Sequence, residues 1–115
     1  MIKTKNEMKI IEREHMRDGS GTVIQNEILS SLDMAKHARM FSTFTLKKGC
    51  SIGEHTHIKE TEYYYILSGE GVVTEKDGDK LVKAGDIVIT GDNESHAIRN
   101  DKDEDLIFMA IIILD

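Results

Sequence analysis

Apolar and polar residues alternate in short runs through the last two-thirds of the chain, a period that belongs to strands. "MFSTFTL" (40–46) places Met40, Ser42, Phe44 and Leu46 on one face. "SIGEHTH" (51–57) follows a turn at Lys48-Gly49, and "EYYYILS" (62–68) has the aromatic and β-branched content that suits a pleated surface. "GEG" (69–71) turns the chain into "VVTEK" (72–76), and Asp77-Gly78 signals a hairpin into "KLVK" (80–83). "DIVIT" (86–90), "HAIRN" (96–100) and "LIFMAIIIL" (106–114) complete the series. With turns about every eight to twelve residues, the pattern predicts an antiparallel sandwich or barrel. The chain has no proline, so Gly, Asn and Asp must make its turns. The first third is less regular. "MKIIEREHMR" (8–17) fits a strand or a short helix, "GTVIQNEI" (21–28) a strand, and "SSLDMAKHAR" (30–39) a helical turn or two capped by Ser30 or Ser31.

Two of these strands are apolar on both faces. In 62–68, Tyr63, Tyr65 and Leu67 oppose Tyr64 and Ile66, and in 106–114 nearly every residue is apolar. A sheet with one wet face should alternate, so both faces of these strands are expected to be covered. A second copy in a homodimer is the expected cover, with a folded-back N-terminal segment as the alternative.

At 115 residues the chain suits one domain over 1–115, with enough surface to bury one modest core. Its net charge of −6 and scattered Lys and Arg argue against nucleic acid as a partner. No apolar run approaches a membrane span, and the charged start "MIKTKNEMKIIEREH" lacks the apolar middle of a signal peptide. The expected location is the cytoplasm, with no membrane partner. A single cysteine, Cys50, excludes an internal disulfide and reads as a small, half-buried residue.

The chemistry concentrates in "GCSIGEHTHIKETEYYYILSG" (49–69). Residues i and i+2 of a strand share a face, so His55 and His57 can aim their imidazoles at one ion while Thr56 points away. Glu62 opens the next strand, expected to pair beside the first and bring its carboxylate near. His96 would supply a third imidazole from another strand. Three imidazoles and a carboxylate suit a divalent transition metal and leave positions open for water or substrate. An H-x-H pair alone is weak support; the remaining spacing strengthens it. Glu60 is the rival carboxylate, less favoured because it falls where the chain should bend. His15 and His37 read as surface histidines, with His15 able to reach the site if the N-terminal segment crosses the barrel mouth. Tyr64 shares the face of Glu62, and Met40, Phe44 and Met109 are candidates for an apolar wall. No arginine lies within 49–69, which counts against a ligand gripped by its carboxylates unless Arg39 faces inward. Walker-type phosphate loops and dinucleotide fingerprints are absent.

The spacing of Gly49, His55, His57, Glu62 and Gly69 resembles the first motif of the cupin family at every fixed position. Its second motif is similar to Gly85, His96 and Asn100, with Gly91 standing where the family has proline and Asn93 where it has glycine. The resemblance, carried by 49–69 and 85–100, implies an all-β jelly-roll barrel (a double-stranded β-helix) with a short irregular or partly helical N-terminal segment. It implies one divalent transition metal per chain inside the barrel (Mn, Fe, Ni, Zn, Co or Cu), held by the equivalents of His55, His57, Glu62 and His96, and it agrees with a homodimer. The expected function is that of a metal-dependent enzyme acting on a small polar metabolite held in the barrel, by dioxygenation, decarboxylation or isomerisation. The alternative is a non-catalytic metabolite- or sugar-binding cupin.

Overall fold

The computed structural model describes all 115 residues. Ten strands account for most of them: β1 (Lys9–Glu14), β2 (Thr22–Glu27), β3 (Ala38–Leu46), β4 (Ser51–Thr56), β5 (Glu60–Ser68), β6 (Glu70–Glu75), β7 (Gly78–Lys83), β8 (Ile87–Thr90), β9 (Ser95–Arg99) and β10 (Leu106–Leu114). All pair antiparallel, in a six-stranded sheet of order β1-β2-β3-β10-β5-β8 and a four-stranded sheet of order β4-β9-β6-β7. This is the antiparallel sandwich expected from the strand pattern, in the jelly-roll form that the family resemblance implies.

The inward residues follow the alternation. Ser42, Phe44 and Leu46 of β3, Tyr64 and Ile66 of β5, and Leu106, Phe108, Ala110 and Ile112 of β10 are all buried. They meet Ile52, Val73 and Ile98 from the opposite sheet, and the Phe44 and Phe108 rings stack 5.7 Å apart. Met109 belongs to the other parity and lies on the outer face of β10, so it is no part of the inner wall.

The N-terminal third is a hairpin of β1 and β2 with 3-10 turns at Lys5–Glu7 and Met16–Asp18. It adds to the β3 edge of the larger sheet and does not fold over its outer face. The helical expectation for 30–39 reduces to one turn. Ser30 accepts the backbone N–H groups of Asp33 and Met34, and the Asp33 carboxylate accepts the N–H of Ser30. The turn does not propagate because β3 begins at Ala38 and Leu32, almost fully exposed, offers no apolar face to bury. No helix is long and apolar enough to cross a membrane.

The turns use left-handed backbone where the sequence offers residues for it. Gly69 has φ +80°, and a Cβ there would stand 2.3 Å from the Asp105 carbonyl oxygen. Asn93, in the place of the second motif's glycine, takes φ 67°, a conformation asparagine tolerates. Asn100 is fully buried and structural: its Nδ2 donates to the carbonyls of Leu46 and Glu104, and its Oδ1 accepts from the N–H of Lys102.

Candidate metal centre

The four expected side chains come together between the two sheets. His55 and His96 are direct cross-strand partners on β4 and β9. His57 lies just beyond β4, fixed by backbone bonds in which its N–H donates to Glu94 and its carbonyl accepts from Asn93. Glu62 arrives from the opposite sheet, since β5 pairs with β10 and β8 and not with β4. The expectation that β5 would pair beside β4 is therefore corrected: the carboxylate reaches the imidazoles across the interior, which is why the site is buried.

Alternation alone would not aim these histidines inward. Ile52 faces the core, and with strict period two Glu54 and Thr56 would follow it. The register of β4 on β9 shifts between Ile52 and His55, so Gly53 and Glu54 stand opposite Ala97 alone. This bulge flips the parity and turns His55 and His57 inward. Gly53 permits it, because a Cβ there would lie 1.9 Å from the Arg17 carbonyl oxygen. A glycine inside a strand pattern is the sequence signal for such a bulge.

Each imidazole is oriented through its Nδ1. His55 donates to the Gly53 carbonyl at 2.7 Å, His57 donates to Glu60 Oε2 at 2.6 Å, and His96 pairs with the Thr90 hydroxyl at 2.7 Å. The three Nε2 atoms then converge with Glu62 Oε1. His96 Nε2 lies 2.9 Å from His55 Nε2, 3.1 Å from His57 Nε2 and 2.9 Å from Glu62 Oε1. Glu62 Oε1 is also 2.9 Å from His57 Nε2 and 3.5 Å from His55 Nε2. Ligand atoms about 2.1 Å from one ion are separated by about 3.0 Å at a right angle and about 3.4 Å at a tetrahedral angle. The donor set therefore fits one transition-metal ion. With Nδ1–H committed outward, each neutral ring turns a lone pair toward its neighbours and toward an ionised carboxylate. Four electron-rich atoms at such separations in a buried site call for a cation between them.

The ionisation balance agrees. Burial alone would raise the Glu62 carboxyl, but the surrounding His55, His57 and His96 outweigh it and hold the group far below the ordinary carboxylate range. Burial opposes the charged form of His57, yet its bonds to Glu62 and Glu60 prevail and raise its pKa. His96 is lowered, chiefly by burial. Tyr64 is fully packed, its ring stacked 4.8 Å from His96, and burial together with the Glu62 charge drives its hydroxyl well above the usual tyrosine range.

Glu60, the rival carboxylate, holds a different place: it orients His57 and is itself gripped by Arg39 through two bonds of 2.7 Å. Arg39 is the extra residue of a second bulge, where Ile112 faces Met40 and Ile113 faces Ala38. Its guanidinium lowers the Glu60 carboxyl below the ordinary range. His15 and His37 are exposed and outside the cluster. Sequence reasoning did not find Thr90 or the Arg39–Glu60–His57 relay. Of the two bulges only that of β4 had a local signal, Gly53.

Comparison with known proteins gives concordant results. The cupin domain family matches residues 42–112. The oxalate-binding protein of Thermotoga maritima is 45% identical over 100 residues, spanning 87% of this chain and 83% of that protein. The crystal structure of a predicted oxalate decarboxylase from Thermotoga maritima has a TM-score of 0.93 at 41% identity and covers 100% of both chains. A cupin superfamily protein from Desulfitobacterium hafniense shares the fold, with a TM-score of 0.68 at 22% identity over 81% of this chain and 78% of that one.

Proposed function

Since the chain belongs to the cupin domain family, we propose that it holds one divalent transition-metal ion through His55, His57, Glu62 and His96 and binds a small dicarboxylate of the oxalate class at that ion. The observation that carries this reading is the convergence of three outward-anchored imidazoles and one carboxylate on a single buried point. Such a metal leaves coordination positions for carboxylate oxygens and supplies Lewis acidity when bound. The name of the 45% identical relative gives the ligand class its support.

Binding is favoured over turnover by the state of the groups around the ion. Decarboxylation would need a proton delivered to the carbon left behind. Glu60 is held by Arg39 and His57, and Tyr64 keeps its proton in a packed interior. Neither is placed as a mobile acid at neutral pH. The test is calorimetric titration of oxalate, malonate and acetate into metal-stripped and Mn(II)-loaded protein, with the fate of the oxalate followed by ¹³C NMR. Saturable binding at one ligand per chain, only with metal and with oxalate intact, is expected. Equal binding without metal would refute the site, and formate with CO₂ as products would make the protein an enzyme.

A second copy is proposed as the cover of the outer face of the larger sheet. The outward rows Phe41–Ile111–Tyr63–Ile89 and Thr43–Met109–Tyr65–Ile87, with Leu67 and Ile113, contain no charge in a chain that is 31% charged. Tyr65, Leu67, Ile87, Ile89 and Ile113 are each about half exposed. Together with the half-buried side chains between them they form one continuous uncharged face. The N-terminal hairpin, the other candidate cover, lies at the far edge of the sheet.

A further inference from the structure

Thr90 is 1% exposed on the inner face of β8, the shortest strand and one edge of the larger sheet. Val88 stands two residues earlier on the same face, and a second valine would suit position 90 as a strand residue equally well. A buried hydroxyl costs stability unless it is hydrogen-bonded. The one side-chain bond of Thr90, at 2.7 Å, is to Nδ1 of His96 in the opposite sheet.

Thr90 is also the cross-strand partner of Glu62. This single pair therefore meets His96 at both ring nitrogens: Glu62 Oε1 lies 2.9 Å from Nε2 and Thr90 Oγ1 lies 2.7 Å from Nδ1. Stacking on Tyr64 fixes the plane of the ring, with centroids 4.8 Å apart and 16° between the planes. It does not fix which way round the ring lies. A half-turn about the Cβ–Cγ bond keeps that plane, but puts Cε1 where Nε2 stood and Cδ2 where Nδ1 stood. On the side away from the ligand cluster, the Thr90 hydroxyl distinguishes the two orientations, since it bonds nitrogen and not carbon.

The turn after Thr90 serves the same centre. The His57 N–H donates to the Glu94 carbonyl, the Asn93 N–H donates to the His57 carbonyl, and the Gly91 N–H donates to the Glu94 carboxylate at 3.3 Å. Residues 90–94 thus hold two of the three imidazoles, one through a side chain and one through its backbone.

We propose that Thr90 is a positioning residue of the metal centre. Its hydroxyl accepts the Nδ1 proton of His96, selects the ring orientation and tautomer that aim Nε2 at the ion, and so raises the affinity for the metal. This rests on the reading of the four side chains as a metal site. It adds a residue the motifs do not specify, since position 90 falls in the open interval between Gly85 and Gly91.

The experiment measures Zn(II) affinity by competition against a chromophoric chelator for wild type, Thr90→Val and Thr90→Ser, and observes the imidazole N–H protons of the zinc-loaded proteins by ¹⁵N-edited NMR. Thr90→Val should bind Zn(II) about tenfold more weakly, and Thr90→Ser, which keeps the hydroxyl, should recover most of the loss. The His96 Nδ1 proton should be protected from solvent exchange in wild type and Thr90→Ser and lose that protection in Thr90→Val. The metal-free thermal midpoint of Thr90→Val should equal or exceed that of wild type, which separates positioning from a packing defect. Equal Zn(II) affinity in wild type and Thr90→Val, or equal losses in the two variants, would overturn this assignment alone. A wild type that binds no Zn(II) would overturn the metal reading, and this assignment with it.

Discussion

Arg39 and Glu60 form a two-pronged ion pair, with both bonds at 2.7 Å, and the same carboxylate takes the Nδ1 proton of His57. The relay ends at the metal-facing Nε2. A carboxylate behind an imidazole fixes its tautomer and raises its basicity toward a metal. Glu60→Gln keeps the shape and removes the charge, so metal affinity should fall by roughly 10- to 100-fold. Arg39→Met should act in the same direction with a smaller effect. Competition against a chromophoric chelator reads both, and unchanged affinity in Glu60→Gln would refute the relay.

Gly53 is the steric condition for the bulge. An added methyl would meet the Arg17 carbonyl oxygen at 1.9 Å, and neither backbone can yield freely. Gly53→Ala should lose about 1–3 kcal/mol of stability, as overpacking does, and should weaken metal binding because His55 and His57 lose their aim. Glu54→Ala, at the exposed second position of the bulge, is the control and should keep both properties. Chemical denaturation with and without metal separates the two effects.

Asp33 ties the N-terminus to the turn before β3. Its carboxylate accepts from Lys3 Nζ at 2.7 Å and from the backbone N–H of Ser30 at 3.0 Å, which pulls its pKa down from 3.8 to about 2. The folded value lies below the unfolded one. The contribution is therefore present in full above pH 3.8 and is lost as pH falls through about 2. Wild type should be more stable than Asp33→Asn at pH 5, with the gap closing as pH falls from 3.8 to about 2. A gap that persists at pH 2 would contradict the assignment.

The uncharged outer face predicts a dimer that a single charge can break. Ile89→Glu places a carboxylate within the proposed contact, on β8, at a position 56% exposed in the monomer. Light scattering should give a mass near 26 kDa for wild type, twice the 13.0 kDa chain, and near 13 kDa for the variant, with metal content retained. A wild type monomeric at micromolar concentration would refute the proposal.

The alternation in 40–46 and the strand-length apolar runs at 62–68 and 106–114 made the strands legible, while only the first told inward from outward residues. What escaped was set by irregularity. The bulges at Gly53-Glu54 and at Arg39 each insert a residue and exchange inside for outside. Arg39 could thus be named as a possible inward cation but not placed on Glu60. Strand pairing was equally hidden: β4 and β5 are adjacent in sequence yet lie in opposite sheets. The fixed spacing of motif residues brought His55, His57, Glu62 and His96 together on paper without that knowledge.

The central claim is that these four side chains bind one metal ion, and stoichiometry tests it most directly. Protein stripped of metal, equilibrated with Mn(II) or Zn(II) and desalted should carry one ion per chain by elemental analysis. The double variant His55→Ala, His57→Ala should carry none while keeping the β-rich circular dichroism of the wild type. Wild type that retains no ion, or a double variant that retains as much as wild type, would contradict the account.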